Sequence, residues 1–411
     1  MSSSLSNESN ETVSVLNGSG TRYHGLDALR GSAMLLGIVI HGCIAYMPQM
    51  VLFWPVMDQH TSPLATLLIV CIHAFRLQTF FLLSGFFTAL LIDRRGRHVT
   101  TVQRTKRLVI PFIVSIVTFM PLVRIAGLWA VQLMPPGVHR EGVVAFYGNS
   151  EATGSMLDRI FSLDLYRHQS IAHIWFLEYL IIISAIFLIA APWFDRWLVS
   201  SGVQRVCAFV LKSPIRPVWF AIVTVFAMLS MDSWNADTPL NSIPDVGVLA
   251  YYAWFFGVGW MMYRNIHLIA EYTRNAAAYF AVATLVVIPA MIVCYSSGRP
   301  DDIIINVAYW IPCLIVYALY TWLMIFTLLG FFMKWMNKPK PWVRYLSDSA
   351  YWVYLIHLPV VMYFQVIVVD WPIHAMLKLV LVVFGTSVVC LVTYHLMVRR
   401  TIIGTMLNGR R

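Results

Sequence analysis

The chain has 411 residues, 59% hydrophobic and 14% aromatic, with 29 Lys+Arg against 19 Asp+Glu and a net charge of +10. Charged residues make up 12%, about half the ~25% usual in soluble globular proteins, which excludes a water-soluble enzyme and a disordered protein. If each membrane crossing takes ~20 apolar residues, ten crossings use roughly half the length and leave a polar remainder too fragmented for a second soluble domain.

Residues 1–20 are rich in Ser, Asn and Gly and have no basic stretch leading into an apolar core, so they read as tail and not as a signal peptide. The sequons at Asn7, Asn10 and Asn17 are read as chance matches in such a tail. Apolar runs bounded by charge or by Pro and Gly place spans at 28–47, 64–92, 108–131, 173–192, 217–231, 248–263, 276–295, 303–333, 350–368 and 375–397. The expected fold is an all-α polytopic integral membrane protein with about ten transmembrane helices. Residues 1–24 form a disordered tail, 25–398 one ten-span domain and 399–411 a basic tail. The segment 217–231 is short, 303–333 is long enough to tilt or kink near Pro312, and the outer loop 132–172 is expected to cap a cleft.

Twenty-two of the 29 Lys and Arg fall in the loops 93–107, 193–216, 264–275 and 334–349 or at the two chain ends, and four fall in the opposite loops. The positive-inside rule therefore places both termini in the cytoplasm. The charge surplus thus reads as membrane orientation and predicts no nucleic-acid partner. The six cysteines lie in spans or in a loop on the basic side, which implies no disulfide framework, and no His/Cys cluster predicts a metal. No G-x-S-x-G, Walker A, G-x-G-x-x-G or H-E-x-x-H pattern occurs, which removes support for serine hydrolase, NTPase, dinucleotide and zinc-protease chemistry.

An ionisable group at mid-span costs about 2.5–3.5 kcal/mol on insertion scales, so each one is a functional candidate. Arg30 and His41 on the first span are eleven residues apart, which returns them to within about 20° of one face and separates them by roughly 16 Å along the axis. Both are expected to point into one cleft, Arg30 at the mouth and His41 deep inside, an arrangement suited to an elongated anionic donor whose reactive end meets a general base. Snorkelling of Arg30 and a structural bond from His41 explain the same spacing. His73 and Arg76 stand at i, i+3 on the second span, and Glu178 on the fourth is the one carboxylate at a depth to neutralise Arg76. Ser84 and Gly85 leave room for a backbone or a ligand. Arg104 and Arg107, one turn apart before the third span, suit a phosphate or pyrophosphate, or serve as a simple anchor. His173 and Trp175 open the fourth span at the outer face, where an aromatic belt also accounts for the Trp. His357, two residues before Pro359, completes a polar site or bonds a carbonyl that the proline frees.

Taken together, LDALRG…H on the first span, FFLLSGFF on the second, R-x-x-R before the third, HIWFL at the fourth and SAYWVYLIH at the ninth resemble the membrane-bound acyltransferase-3 family over residues 25–360. The form of the second span, the absence of an appended periplasmic domain and the VRRTIIGTMLNGRR tail resemble the branch associated with succinylation of osmoregulated periplasmic glucans. This resemblance implies a bacterial inner-membrane enzyme with no bound cofactor that takes an acyl group from cytoplasmic acyl-CoA, succinyl-CoA for this branch, to a glucan hydroxyl across the membrane. Its partners are then the acyl-CoA, the glucan acceptor and the surrounding lipids. By analogy His41 is the base, Arg76 stabilises the oxyanion or pairs with a succinyl carboxylate, and Asp27 orients Arg30, which with Arg104 and Arg107 holds the phosphates. His73, His173 and His357 fall on the substrate side. Acetyl-CoA-dependent O-acetylation of another envelope polysaccharide, and a glucan or lipid-linked sugar transporter, remain alternatives at this point.

Overall fold

The computed structural model describes residues 23–49, 54–133, 172–231, 233–239, 243–296 and 303–408. The sequons, most of the loop 132–172 and the last three residues lie outside them. The helices, in chain order, are α1 (His24–Ile44), α2 (Pro63–Arg95), α3 (Arg97–Leu133), α4 (Trp175–Val199), α5 (Ser201–Lys212), α6 (Arg216–Met228) and α7 (Val246–Arg264). After a short helical turn at Ile269–Tyr272 follow α8 (Ala276–Ser296), α9 (Ile303–Trp335), α10 (Pro341–Val368), α11 (Ala375–Val398) and α12 (Ile402–Asn408). Among the described residues nine helices are long and apolar enough to cross a membrane, and α5 with α6, bent by 116°, supply a tenth crossing if counted as one. This is the all-α polytopic plan that the hydropathy predicts. Tyr23 and Leu407 line one cleft, so both described chain ends lie on the same face, which is called the terminal face below; the other is the far face.

Local sequence sets the helix limits. Ser62 caps α2 by accepting a bond from the Leu64 amide, with Pro63 at the first helical position. Gly96, at φ +79°, then turns the chain straight into α3. Two expected features take a different form. The stretch 193–216, read as a loop, is helical through α5. α6 has 13 residues, about 20 Å of rise against ~30 Å of hydrocarbon. The chain beyond it compensates by folding back into the bundle, where Trp234 packs on Tyr295 and Tyr317 and Thr238 meets His73.

α1, α2, α7, α9 and α10 form the centre, while α8, α11 and the middle of α3 turn apolar side chains such as Leu285, Phe384 and Val117 outward, as lipid contact requires. The closest approach is between α2 and α7. A Cβ at Gly85 would stand 1.9 Å from the Phe256 carbonyl oxygen, and one at Gly259 would stand 1.8 Å from that of Leu82. The room expected at Ser84-Gly85 is thus filled by backbone at Gly85, while Ser84 lines a cleft on the terminal face. At the terminal face Arg264 binds Asp195 through two nitrogens at 2.7 and 2.8 Å and Asp93 through a third, which ties α2, α4 and α7 together.

On the far face the segment between α1 and α2 is held down by a buried ion pair. Lys378 Nζ on α11 donates to both Asp58 oxygens at 2.7 and 2.9 Å and to the Val369 carbonyl at 2.8 Å, and its side chain is 0% exposed. Removing one partner of a pair this buried costs about 3–5 kcal/mol, because the other charge is left unpaired. Asp58→Ala is expected to lower stability by about that amount in an unfolding titration, and Asp58→Leu/Lys378→Met to recover most of it. An unchanged unfolding midpoint in the single variant would show that the pair does not clamp the segment.

Candidate active site

Gly37, one turn before His41 on α1, marks the centre of the site. A Cβ there would stand 3.2 Å from Nη1 of Arg76 on α2 and 3.4 Å from Nε2 of His357 on α10, so a glycine lets a guanidinium and an imidazole close over one patch of α1. The His41 ring lies next to that of His357, with centroids 5.2 Å apart, and His357 lies next to His173, 5.1 Å away. Arg76 is 8% exposed and His357 1% exposed. Although three imidazoles gather here, no group of three or more His, Cys, Asp or Glu among the described residues is placed to hold a metal.

Hydrogen bonds fix the chemical state of His357. Its Nδ1 lies 2.8 Å from the Tyr354 carbonyl and 3.1 Å from that of Val353. A carbonyl only accepts, so Nδ1 carries the proton, and in the neutral ring Nε2 is a bare lone pair. Among the described residues no group satisfies that atom. Pro359 frees the carbonyl of Leu355, whereas His357 bonds those of Tyr354 and Val353, so relief of the proline does not account for it.

His41 is positioned by groups that the sequence does not place beside it. The Trp54 indole stacks on its ring, centroids 5.8 Å apart and planes at 9°. Gln365 on α10, 1% exposed, accepts the Trp54 Nε1–H at 2.9 Å and donates to the carbonyls of His41 and Gly42 at 3.0 and 3.1 Å. Trp54 lies four residues before Asp58, so the buried ion pair also holds the lid of the His41 ring. His41 Nδ1 is buried with no hydrogen-bond partner among the described residues.

A cleft of about 390 Å³ opens on the terminal face and is lined by Asp27, Arg30, Arg104 and Arg107, with Arg94 and Arg95 beside them. Arg30 pairs with Asp27 at 3.6 Å and lies over the Phe87 ring, as the one-turn spacing predicts. Arg104 is partly committed to structure: Nη2 donates to the Ser84 carbonyl at 2.8 Å and to the Thr88 hydroxyl. Met34, Phe80 and Phe176 line the deepest part of the cleft, with the two phenyl rings 4.8 Å apart. His41 does not line it. The shared register of Arg30 and His41 is real, but Met34 and the Phe80–Phe176 pair stand between the cleft and the histidine cluster.

Other expectations change. His173 and Trp175 are 7% and 4% exposed; they sit inside the bundle and not in an interfacial belt, because α4 begins at the depth of Phe80 and Phe81. The expected Arg76–Glu178 ion pair is absent from the pairs within 4 Å among the described residues. Phe176, Leu177 and Leu180 turn one side of α4 to the cleft, which leaves Glu178 on the opposite side of the helix, given ~100° per residue. His73 lies between the Thr238 hydroxyl at 3.2 Å and that of Tyr317 at 3.4 Å.

A cation-lined cleft on one face, leading toward buried imidazoles and a guanidinium, is the equipment for moving a group from an anionic donor. The acyltransferase domain of the acyltransferase-3 family matches residues 23–395. The chain belongs to this family. This acyltransferase is 23% identical over 347 residues to the glucans biosynthesis protein C of Salmonella typhi and of Salmonella typhimurium, a match covering 84% of this chain and 83% of theirs. The protein of that name from Salmonella enteritidis PT4 is 23% identical over 349 residues, with the same coverage. No solved structure matches the chain. The family resemblance read from the motifs therefore holds for nearly the whole chain, and the acyltransferase is a multi-pass membrane protein.

Of the residues singled out in the sequence, Asp27, Arg30, Arg104 and Arg107 meet in the cleft, and His41, Arg76, His173 and His357 meet in the cluster. Glu178 joins neither, and His73 bonds Thr238 and Tyr317. Gly37, Trp54 and Gln365 are the additions. Gly37 had a readable signal, since it stands at i, i+4 to His41 on the same face; Trp54 and Gln365 had none.

Proposed function

We propose that this acyltransferase moves a succinyl group from cytoplasmic succinyl-CoA to a hydroxyl of an osmoregulated periplasmic glucan, and that it works in the bacterial inner membrane. The observation that carries the reading is the alignment on α1 of the Arg30 cleft with the Gly37–His41 cluster. Arg30 and Gly37 are seven residues, roughly 10 Å, apart along the axis, a depth that an extended pantetheine arm bridges once the Met34 and Phe80–Phe176 side chains move aside. The positive-inside rule puts the terminal face, and so the cleft, in the cytoplasm. The relatives' name supports a glucan acceptor, and Arg76 offers a partner for the distal carboxylate of a succinyl group.

In the proposed step the glucan hydroxyl gives its proton to a His41 imidazole nitrogen as its oxygen attacks the thioester carbonyl. The carbonyl oxygen becomes an oxyanion facing Arg76, and the carbon–sulfur bond then breaks. The CoA thiolate leaves and takes up the proton that His41 received, so the products are an ester and a thiol. His357, its Nδ1–H fixed by backbone carbonyls, offers Nε2 as an acceptor beside His41. Trp54 against His41 and Tyr354 against His173 and His357 keep the cluster buried, which limits the water that would hydrolyse the thioester.

Arg30→Ala is expected to raise the apparent KM for acyl-CoA about tenfold while kcat changes little, since a charge-assisted bond to a phosphate holds the donor equally in the ground and transition states. Steady-state kinetics on purified protein checks this. An unchanged KM would remove the phosphates from this cleft.

A further inference from the structure

A second cleft on the terminal face, about 450 Å³ in volume, adjoins the donor cleft and has no place in the step above. Asp27, Ser347 and Asp348 line both, so one thin wall separates the two spaces. The Ser347 hydroxyl bonds the Asp27 carbonyl at 3.3 Å within that wall.

Four cations, Lys338, Lys340, Arg344 and Arg399, line the second cleft. Arg344 lies 3.8 Å from Asp348, and Arg399 lies over the Tyr345 ring at 5.3 Å. No ion pair within 4 Å among the described residues takes up Lys338 or Lys340. The remaining walls are flat and apolar: the Tyr345 and Tyr394 rings, 5.5 Å apart, with Pro339 and Pro341. Aromatic faces and cations together suit a planar base that carries a phosphate.

Coenzyme A has that composition at the end remote from its thioester. Its adenosine bears a 3′-phosphate and is joined through a pyrophosphate to the pantetheine arm. With the pyrophosphate at Arg30, Arg104 and Arg107, the adenosine must leave the donor cleft near its rim. The second cleft is one wall away from that rim.

We propose that this second cleft binds the 3′-phosphoadenosine end of the donor, with Lys338 and Lys340 on the 3′-phosphate and the Tyr345 side against the base. The proposal rests on the acyl-CoA reading and adds to it a reason for selecting CoA over other thioesters. Removal of the 3′-phosphate should then cost affinity through these two lysines.

The test is calorimetric titration of the purified full chain with CoA and with 3′-dephospho-CoA. Wild-type protein is expected to bind CoA about tenfold more tightly, the typical worth of a charge-assisted contact to one phosphate. Lys338→Ala/Lys340→Ala is expected to bring the ratio close to one, mainly by weakening CoA. Arg30→Ala should weaken both ligands and keep the ratio. Arg399→Gln serves as an independent variant and should lower the ratio in the same direction. A wild-type ratio near one, or a ratio that survives the double substitution, overturns the subsite. Failure of wild-type protein to bind either compound instead defeats the acyl-CoA reading, a distinguishable result. If the double variant keeps the ratio but loses stabilisation by phosphatidylglycerol in nanodiscs, the lysines serve a lipid headgroup and the proposal is wrong.

Discussion

His41→Ala is expected to reduce kcat for succinyl transfer by about 10²–10⁴-fold, the range for loss of a positioned general base, while CoA binding stays within about twofold of wild type. The second half follows from the geometry: His41 is outside the cation-lined cleft, so its loss leaves every donor-phosphate contact in place. His41→Gln separates shape from chemistry, because it keeps a polar side chain under Trp54 and cannot take up a proton at neutral pH. Both variants should be equally inactive. Single-turnover kinetics with a fixed concentration of acyl-CoA reads the chemical step apart from binding. Wild-type turnover in either variant would move the base elsewhere, and His357, whose Nε2 lone pair has no partner among the described residues, would be the next residue to examine.

Arg76→Lys is expected to cost about 10²–10³-fold in kcat even though charge is conserved. An ammonium is a point charge on a flexible stem, whereas the guanidinium here packs over Gly37 next to His357. Gly37→Ala makes the same argument from the other side. The added methyl would lie 3.2 Å from the guanidinium, which must give by a few tenths of an ångström, and at ordinary contact, 3.4 Å, from the imidazole; misplacement of the guanidinium on that scale is expected to lower kcat more than it alters KM. For a succinyl donor Arg76→Lys has a second signature. If Arg76 holds the distal carboxylate, the variant loses preference for succinyl-CoA over acetyl-CoA; if it serves only the oxyanion, both donors fall together. Equal activity of wild type and Arg76→Lys with both donors would remove Arg76 from either role.

Much of this arrangement was legible in the sequence, for a physical reason. A helix has a fixed rise and a fixed turn, so any relation within one helix can be computed: Arg30 to His41, Asp27 to Arg30, Arg104 to Arg107. Hydropathy likewise gave nearly every crossing, because lipid selects for long apolar runs. Relations between helices are of another kind. Trp54 reaches His41 only because Gln365 holds it from α10 and because Asp58 finds Lys378 on α11. Those partners lie more than three hundred positions away in the chain, and no local pattern encodes them.

Depth was the other hidden quantity. His173 opens an apolar run and so was read as interfacial, yet α4 starts at mid-bundle, level with Phe80. Glu178 inherited its suggested role from that wrong depth, combined with the need of Arg76 for a counter-charge. Its position on the α4 flank removes the pairing. The bend between α5 and α6 was also unreadable, since a charged stretch ending in Ser213 and Pro214 looks the same whether it is a loop or a helix lying along the membrane surface.

The most direct measurement is mass spectrometry of periplasmic glucan incubated with succinyl-CoA and the purified acyltransferase. The account predicts succinyl mass increments on the glucan with wild-type protein and none with His41→Ala. Unmodified glucan with the wild-type protein, or equal succinylation by the two proteins, would contradict it.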